Sequence, residues 1–144
     1  MSEQTVAVAS DHAGFELKGM VKSELEAMGH TVLDLGTDGP ESVDYPDFAN
    51  ALAEALGAGR AARGVLICGT GIGISMAANR HRHVRAALCH DGTSARLARA
   101  HNDANVLALG ARLIGSEAAR DCVRMFFSTA FEGGRHARRV GKLN

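Results

Sequence analysis

The order of apolar segments predicts an α/β fold, a five-stranded parallel sheet between two layers of helices. Short continuous apolar runs alternate with amphipathic stretches from end to end, the pattern of strands buried on both faces by crossover helices. The 144 residues contain no internal repeat and no low-complexity linker, and this length suits one core. The expectation is a single-domain, Rossmann-like, three-layer α/β/α sandwich over residues 1–144.

Thr5-Val6-Ala7-Val8-Ala9 reads as the first strand. The following helix runs from Phe15 to Met28, with Leu17, Met20, Val21, Leu25 and Met28 at helical spacing and Gly29 as its stop. Thr31 to Leu35 is a second strand ended by Gly36, and Gly36 to Asp44, with Gly39-Pro40, is a loop. A helix from about Pro46 to Leu56 places Phe48, Leu52 and Leu56 on one face, with proline tolerated in the first turn. Val65 to Cys68 is the third strand, Gly69 to Gly73 a loop and Ile74 to Arg80 a short helix. Val84 to Cys89 is the fourth strand, Thr93 to Ala100 a helix, and Val106 to Leu109 the fifth strand. Ser116 and Glu117 suit the start of a last helix reaching about Phe131, stopped by Gly133-Gly134 before a basic tail. In such sheets ligands bind beyond the carboxyl ends of the strands. That rule selects Ser10-Asp11-His12, Cys68 to Gly73 and His90-Asp91.

Composition excludes several classes of function. Sixteen Lys/Arg balance sixteen Asp/Glu, which counts against a generic nucleic-acid or anionic-membrane binder. The balance hides unlike halves: residues 1–79 hold 4 basic and 11 acidic residues, and residues 80–144 hold 12 and 5. Three cysteines, Cys68, Cys89 and Cys122, have no metal-ligand spacing, and their odd number suits a reducing compartment. Met1-Ser2-Glu3-Gln4 lacks the start of a secretory leader, and no apolar run approaches the roughly 18 residues needed to span a bilayer. A soluble cytoplasmic protein is expected.

The strongest local signal is Cys68-Gly69-Thr70-Gly71-Ile72-Gly73 between a buried strand and a helix. Alternating glycines let backbone N–H groups converge at a helix start, a ready anion site; the plain alternative is a tight turn. A dinucleotide fingerprint fits less well, because counting from Gly69 its third glycine falls on Ile74, although Asp91 lies near the expected ribose-binding position. A Walker loop is excluded by the missing Gly-Lys-Ser/Thr. Cys68 is either a small core residue or a nucleophile or base favoured by the glycine loop; Cys89 ends its strand without such a loop. Asp11-His12 follows the first strand, and His12 is a phosphate ligand or an acid–base group, or merely caps a turn. In His101-Asn102-Asp103-Ala104-Asn105, turn chemistry explains Asn and Asp, while the histidine suggests more. Gly133-Gly134-Arg135-His136-Ala137-Arg138-Arg139 is a solvated tail or a phosphate clamp. Arg80-His81-Arg82-His83 reads as an exposed connection.

Five blocks in order resemble one family: Asp11-His12-Ala13-Gly14, Ser42 to Asp47, Cys68 to Ser75, His101 to Asn105 and Gly133 to His136. The chain resembles type B ribose-5-phosphate isomerases within the ribose/galactose phosphate isomerase family, over about residues 6–140. The resemblance implies interconversion of D-ribose 5-phosphate and D-ribulose 5-phosphate through an enediolate, without metal or cofactor. It implies Cys68 as the base between C2 and C1, and Thr70 as the group moving a proton between the sugar oxygens. Gly69, Gly71, Ile72 and Gly73 would hold the enediolate charge. His101, assisted by Asp11, would open the furanose ring, and Asn102 would bind hydroxyls. His12, Arg135 and Arg139, with Arg112 and His136, would hold the phosphate, and Tyr45 would line the pocket. Some relatives use a glutamate just after the glycine loop; Ser75 stands there, so the chain is of the cysteine type. The family shares each site between two subunits, with His101-Asn102 and part of the arginine set crossing the interface, which implies a homodimer or tetramer. Allose 6-phosphate or galactose 6-phosphate is the alternative substrate, and a non-catalytic sugar-phosphate-binding module is the reading outside enzymes.

Overall fold

The structure, a computed structural model, describes residues 4–144. Met1, Ser2 and Glu3, most of the segment read for a leader, lie outside the described residues. Five parallel strands form one sheet among the described residues: β1 (Thr5–Ser10), β2 (Thr31–Asp34), β3 (Arg63–Cys68), β4 (Ala86–Leu88) and β5 (Val106–Gly110), in the order β2-β1-β3-β5-β4. The helices are α1 (Phe15–Ala27), α2 (Tyr45–Gly57), α3 (Ile72–Ala78), α4 (Gly92–Asn102), α5 (Ser116–Ser128) and α6 (Arg135–Gly141), and His12–Gly14 forms a 3-10 turn.

Strand alternation sorts the core onto two faces. Val6, Val8, Val65, Ile67, Leu107 and Leu109 meet Val21 and Leu25 of α1, Ala95 and Ala98 of α4, and Val123 and Phe126 of α5. Ala7, Ala9, Leu66 and Cys68 meet Leu52 and Ala53 of α2 and Ile74 and Ala78 of α3. The small residues on the second side let α2 and α3 approach the strands closely, and Cys68 belongs to that side. Ion pairs from Arg120 and Arg124 to Glu24 join α5 to α1. After β1 and β2 the chain returns to place β3 on the other side of β1. The β1/β3 boundary is therefore the switch point where ligands are expected.

The differences from the expected boundaries have local causes. Helix α3 begins at Ile72, inside the expected loop, because Gly71 adopts φ +76° and its carbonyl already accepts the Ser75 N–H at 3.2 Å. Gly115, not Ser116, flanks α5, without a side-chain cap, and α5 ends at Ser128 rather than near Phe131. The basic tail is not an unstructured run, since Arg135 to Gly141 forms α6. Residues 80–83 are more than an exposed connection. His81 Nε2 is 2.8 Å from Asn50 Oδ1 and His83 Nε2 is 2.7 Å from the Ala53 carbonyl, tying the segment to α2.

Candidate active site

The sequence-selected residues fall into two groups at opposite edges of the sheet. The first lies at the carboxyl ends of β1 and β3. Cys68 closes β3 with 5% exposure, and its Sγ accepts the Gly71 N–H at 3.2 Å. Gly71 can aim that N–H only in the left-handed conformation, and a Cβ there would stand 2.5 Å from Leu88 Cδ1. Thr70 is exposed, and its Oγ1 accepts the Ile72 N–H at 3.1 Å. The backbone from Gly69 to Gly73 thus turns around a sulfur and an adjacent hydroxyl. The Ala111 and Arg112 N–H groups donate to the Cys68 and Gly69 carbonyls at 2.9 Å, fixing the loop to the segment after β5.

Asp11 follows β1 and is 7% exposed; its Oδ1 accepts the Gly14 N–H at 3.1 Å. The next residue, His12, accepts the Val43 N–H on Nδ1 at 3.1 Å. In the neutral ring this leaves the proton on Nε2, a donor free for an anion. Tyr45, 40% exposed at the start of α2, lies against Gly73, where a Cβ would stand 2.6 Å from Cζ. Arg112 lies over Gly69 in the same way, with Nη1 3.2 Å from a Cβ placed there. Behind this loop Lys18, 3% exposed, donates to Asp34 Oδ1 at 2.6 Å and to the Thr37 carbonyl at 2.7 Å. Burial raises the Asp34 carboxyl, but hydrogen bonds from Lys18, Lys22 and the Gly36 N–H outweigh it and hold the group at about 2.

The second group lies at the other edge. Helix α4 runs from the carboxyl end of β4 back to the start of β5. The helix carries His101 and Asn102 about 14–15 Å along its axis from Gly92, away from the Cys68 edge. Helix α6 packs there: His101 and His136 stack with centroids 4.3 Å apart and planes within 11°, and Arg135 and Arg139 share the helix with His136. One chain therefore brings together Asp11, His12, Tyr45, Cys68 to Gly73 and Arg112, but not His101, Asn102, Arg135, His136 or Arg139.

The polar knot after α4 divides by role. Asp103 takes φ +49° and pairs with Arg85 and Arg99. Asn105 bridges the Arg85 N–H and the His83 carbonyl. His101 and Asn102 take no part in these turn contacts. Asp91 caps α4, its Oδ1 accepting the Ser94 N–H at 2.7 Å, which also lowers its carboxyl below the usual range. The ribose-binding role for Asp91 is thereby disfavoured. Cys89 and Cys122 are core thiols raised by burial, Cys122 to about 12.

Sequence reading missed Glu132, whose Oε1 lies 3.5 Å from His136 Nε2 and 3.8 Å from His101 Nε2; its spacing four residues before His136 is the available signal. These three are the group among the described residues whose ligand-type atoms lie within 4.8 Å of one another. Also missed were exposed Met76 and Leu113, which with exposed Ile72 form apolar surface beside the glycine loop. No helix among the described residues is long and apolar enough to cross a membrane.

Comparisons with known proteins match the chain in sequence and fold. Ribose-5-phosphate isomerase B of Escherichia coli (strain K12) is 45% identical over 135 residues, 94% of this chain and 91% of that protein. The structure of ribose-5-phosphate isomerase B from Clostridium thermocellum superposes with a TM-score of 0.94 at 50% identity, covering 96% of this chain and 94% of that one. The enzyme from Mycoplasma genitalium with bound ribulose-5-phosphate gives a TM-score of 0.92 at 40% identity, covering 96% and 93%. The family model described as Ribose/Galactose Isomerase matches residues 6–143. Sequence and fold agree over nearly the whole length, and the chain belongs to the ribose/galactose isomerase family.

Proposed function

We propose that this protein is a ribose-5-phosphate isomerase, interconverting D-ribose 5-phosphate and D-ribulose 5-phosphate by cofactor-free proton transfer in the non-oxidative pentose phosphate pathway. The observation that carries the reading is a buried cysteine sulfur held by the Gly71 N–H inside an open turn of backbone donors. A base and a set of N–H groups at one point suit proton removal beside a carbonyl, because they meet both the proton and the charge that develops.

In the ring-opening step the O1 hydroxyl loses its proton, the C1–O4 bond breaks, C1=O1 forms, and O4 takes up a proton; His101 moves the proton and Asp11 assists at the hydroxyl. Cys68 then removes the C2 proton. The electron pair moves to O1, giving the enediolate, whose negative charge faces the N–H groups of Gly69, Gly71, Ile72 and Gly73. Thr70 passes a proton from O2 to O1, and Cys68 returns its proton to C1. The phosphate is held by His12 Nε2–H, Arg112, Arg135 and Arg139, with His136 beside them; Tyr45 lines the pocket and Asn102 meets the hydroxyls.

The two groups lie at opposite sheet edges, so the working unit is a homodimer, or a tetramer of such pairs, with each site drawing on both chains. Exposed Ile72, Met76 and Leu113 supply apolar surface for that contact. Residues 1–144 act as one isomerase domain, with 132–144 serving site and interface, in the cytoplasm. The test compares wild type and Cys68→Ser on ribose 5-phosphate, with allose 6-phosphate and galactose 6-phosphate as competitors. Turnover of the folded serine variant near the wild-type rate would sink the base assignment, and a higher kcat/KM on either hexose phosphate would move the substrate.

A further inference from the structure

His101 does not stand alone. Its ring and that of His136 stack nearly face to face, and both turn Nε2 toward one carboxylate oxygen, Glu132 Oε1. The distances, 3.8 and 3.5 Å, exceed hydrogen-bond length but close with small rotations of exposed side chains. The backbone anchors the arrangement: the Glu132 N–H donates to the Ala100 carbonyl, and the His136 N–H to the Gly133 carbonyl, each at 3.0 Å. Glu132 is thereby fixed to the residue that precedes His101.

Exposure separates the roles. His136 is 12% exposed against 39% for His101, so His136 supports and His101 faces a ligand. Burial lowers His136 below the ordinary imidazole range; His101, Arg135 and Arg139 push the same way, and Glu132 opposes them. A neutral ring stacked beneath His101 adds no further cation beside Arg135 and Arg139. No hydrogen bond engages Nδ1 of His101 among the described residues.

We propose that Glu132 is a positioning residue for ring opening: its carboxylate holds the Nε2–H edge of His101, stacked on His136, so that Nδ1 meets the furanose. Nδ1 then takes the O1 proton, C1=O1 forms as C1–O4 breaks, and the same proton passes to O4. The transient imidazolium is stabilised by Glu132, in the way an orienting carboxylate supports a histidine base elsewhere. Nothing is oxidised or reduced. The inference rests on the isomerase reading and adds a residue to it.

Two reactions separate the steps. Turnover of ribose 5-phosphate requires ring opening, whereas deuterium exchange from D2O into C1 of acyclic ribulose 5-phosphate requires only the enediolate. Glu132→Gln is expected to lower kcat on ribose 5-phosphate about tenfold, less than the roughly 10²–10⁴ of a general acid–base group itself because Glu132 acts through His101, while exchange and KM stay within about twofold of wild type. In a His101→Ala background the same substitution is expected to change nothing further. Equal losses in both reactions would mean a merely structural role and overturn the proposal, as would a variant matching wild type in both. Wild-type protein inactive in both assays would overturn the isomerase reading and the proposal with it.

Discussion

Gly110, the last residue of β5, tests whether the backbone nest is the catalytic device, because it touches the nest from outside. A Cβ at Gly110 would stand 2.5 Å from the Thr70 carbonyl oxygen, 2.6 Å from its carbon and 2.9 Å from its Cα. All three are backbone atoms, so no rotamer relieves the clash. Ordinary contact begins near 3.4 Å, so in Gly110→Ala the nest must retreat by about 0.9 Å or β5 must yield, at about 1–3 kcal/mol of stability. Donors to a developing oxyanion work at about 2.7–3.1 Å, and losing one costs roughly 10²–10³ in kcat. A displacement near 1 Å costs about 10²-fold by misplacement alone. The expectation is a folded Gly110→Ala protein with kcat on ribose 5-phosphate reduced at least about 10²-fold and KM changed far less. The assay pairs steady-state kinetics with urea unfolding, so that inactivity through loss of fold is seen as such. A stably folded variant keeping kcat within threefold of wild type would refute the claim that nest geometry carries the rate.

Two further outcomes follow from the same geometry. Mixed and refolded together, Cys68→Ser and His101→Ala chains are expected to recover about a quarter of wild-type activity, since half of the dimers would hold one intact site in two; no recovery would place each site within one chain. Asp34 is held at about 2 against an ordinary 3.8, so its stabilisation is present above pH 4 and is lost as pH falls through 2. In urea unfolding, wild type is expected to exceed Asp34→Asn by about 1–2 kcal/mol at pH 6, after allowance for solvent screening. A gap unchanged at pH 2 would refute this account of the Lys18–Asp34–Lys22 cluster.

Much of this was legible in the chain before any coordinates. The strands announce themselves because each is a nearly unbroken apolar run, and the glycine loop because alternate glycines have few other uses. The order β2-β1-β3-β5-β4 was not legible, since pairing depends on which helix faces fit together rather than on local pattern. Helix α6 was hidden by composition: Arg135-His136-Ala137-Arg138-Arg139 has no apolar stripe. The structure sets it against α4 through the His101–His136 stack instead. The His101 block reads as one motif, yet Asp103 and Asn105 serve the turn while His101 and Asn102 do not. Only three-dimensional partners separate turn chemistry from ligand chemistry in such a run. Glu132 was easily passed over for the same reason, one more carboxylate in a mixed-charge segment marked only by its spacing of four from His136.

The zero net charge of the chain takes its meaning from the split between sheet edges. Asp11 and the loop before Tyr45 belong to the acidic half of the sequence, whereas the arginines of α6 belong to the basic half. A helix antiparallel to its strands carries its last residues away from the edge where it starts, and α4 sets His101 about 14 Å along its axis from Gly92. In the proposed function Cys68 of one chain and His101 of another therefore serve one sugar phosphate. In the proposed dimer the glycine-loop edge of each copy would face α6 of the other, and a two-fold axis would create both sites at once. In that dimer the unlike charges of the two halves of the sequence would aid association, and raising salt would weaken the pair.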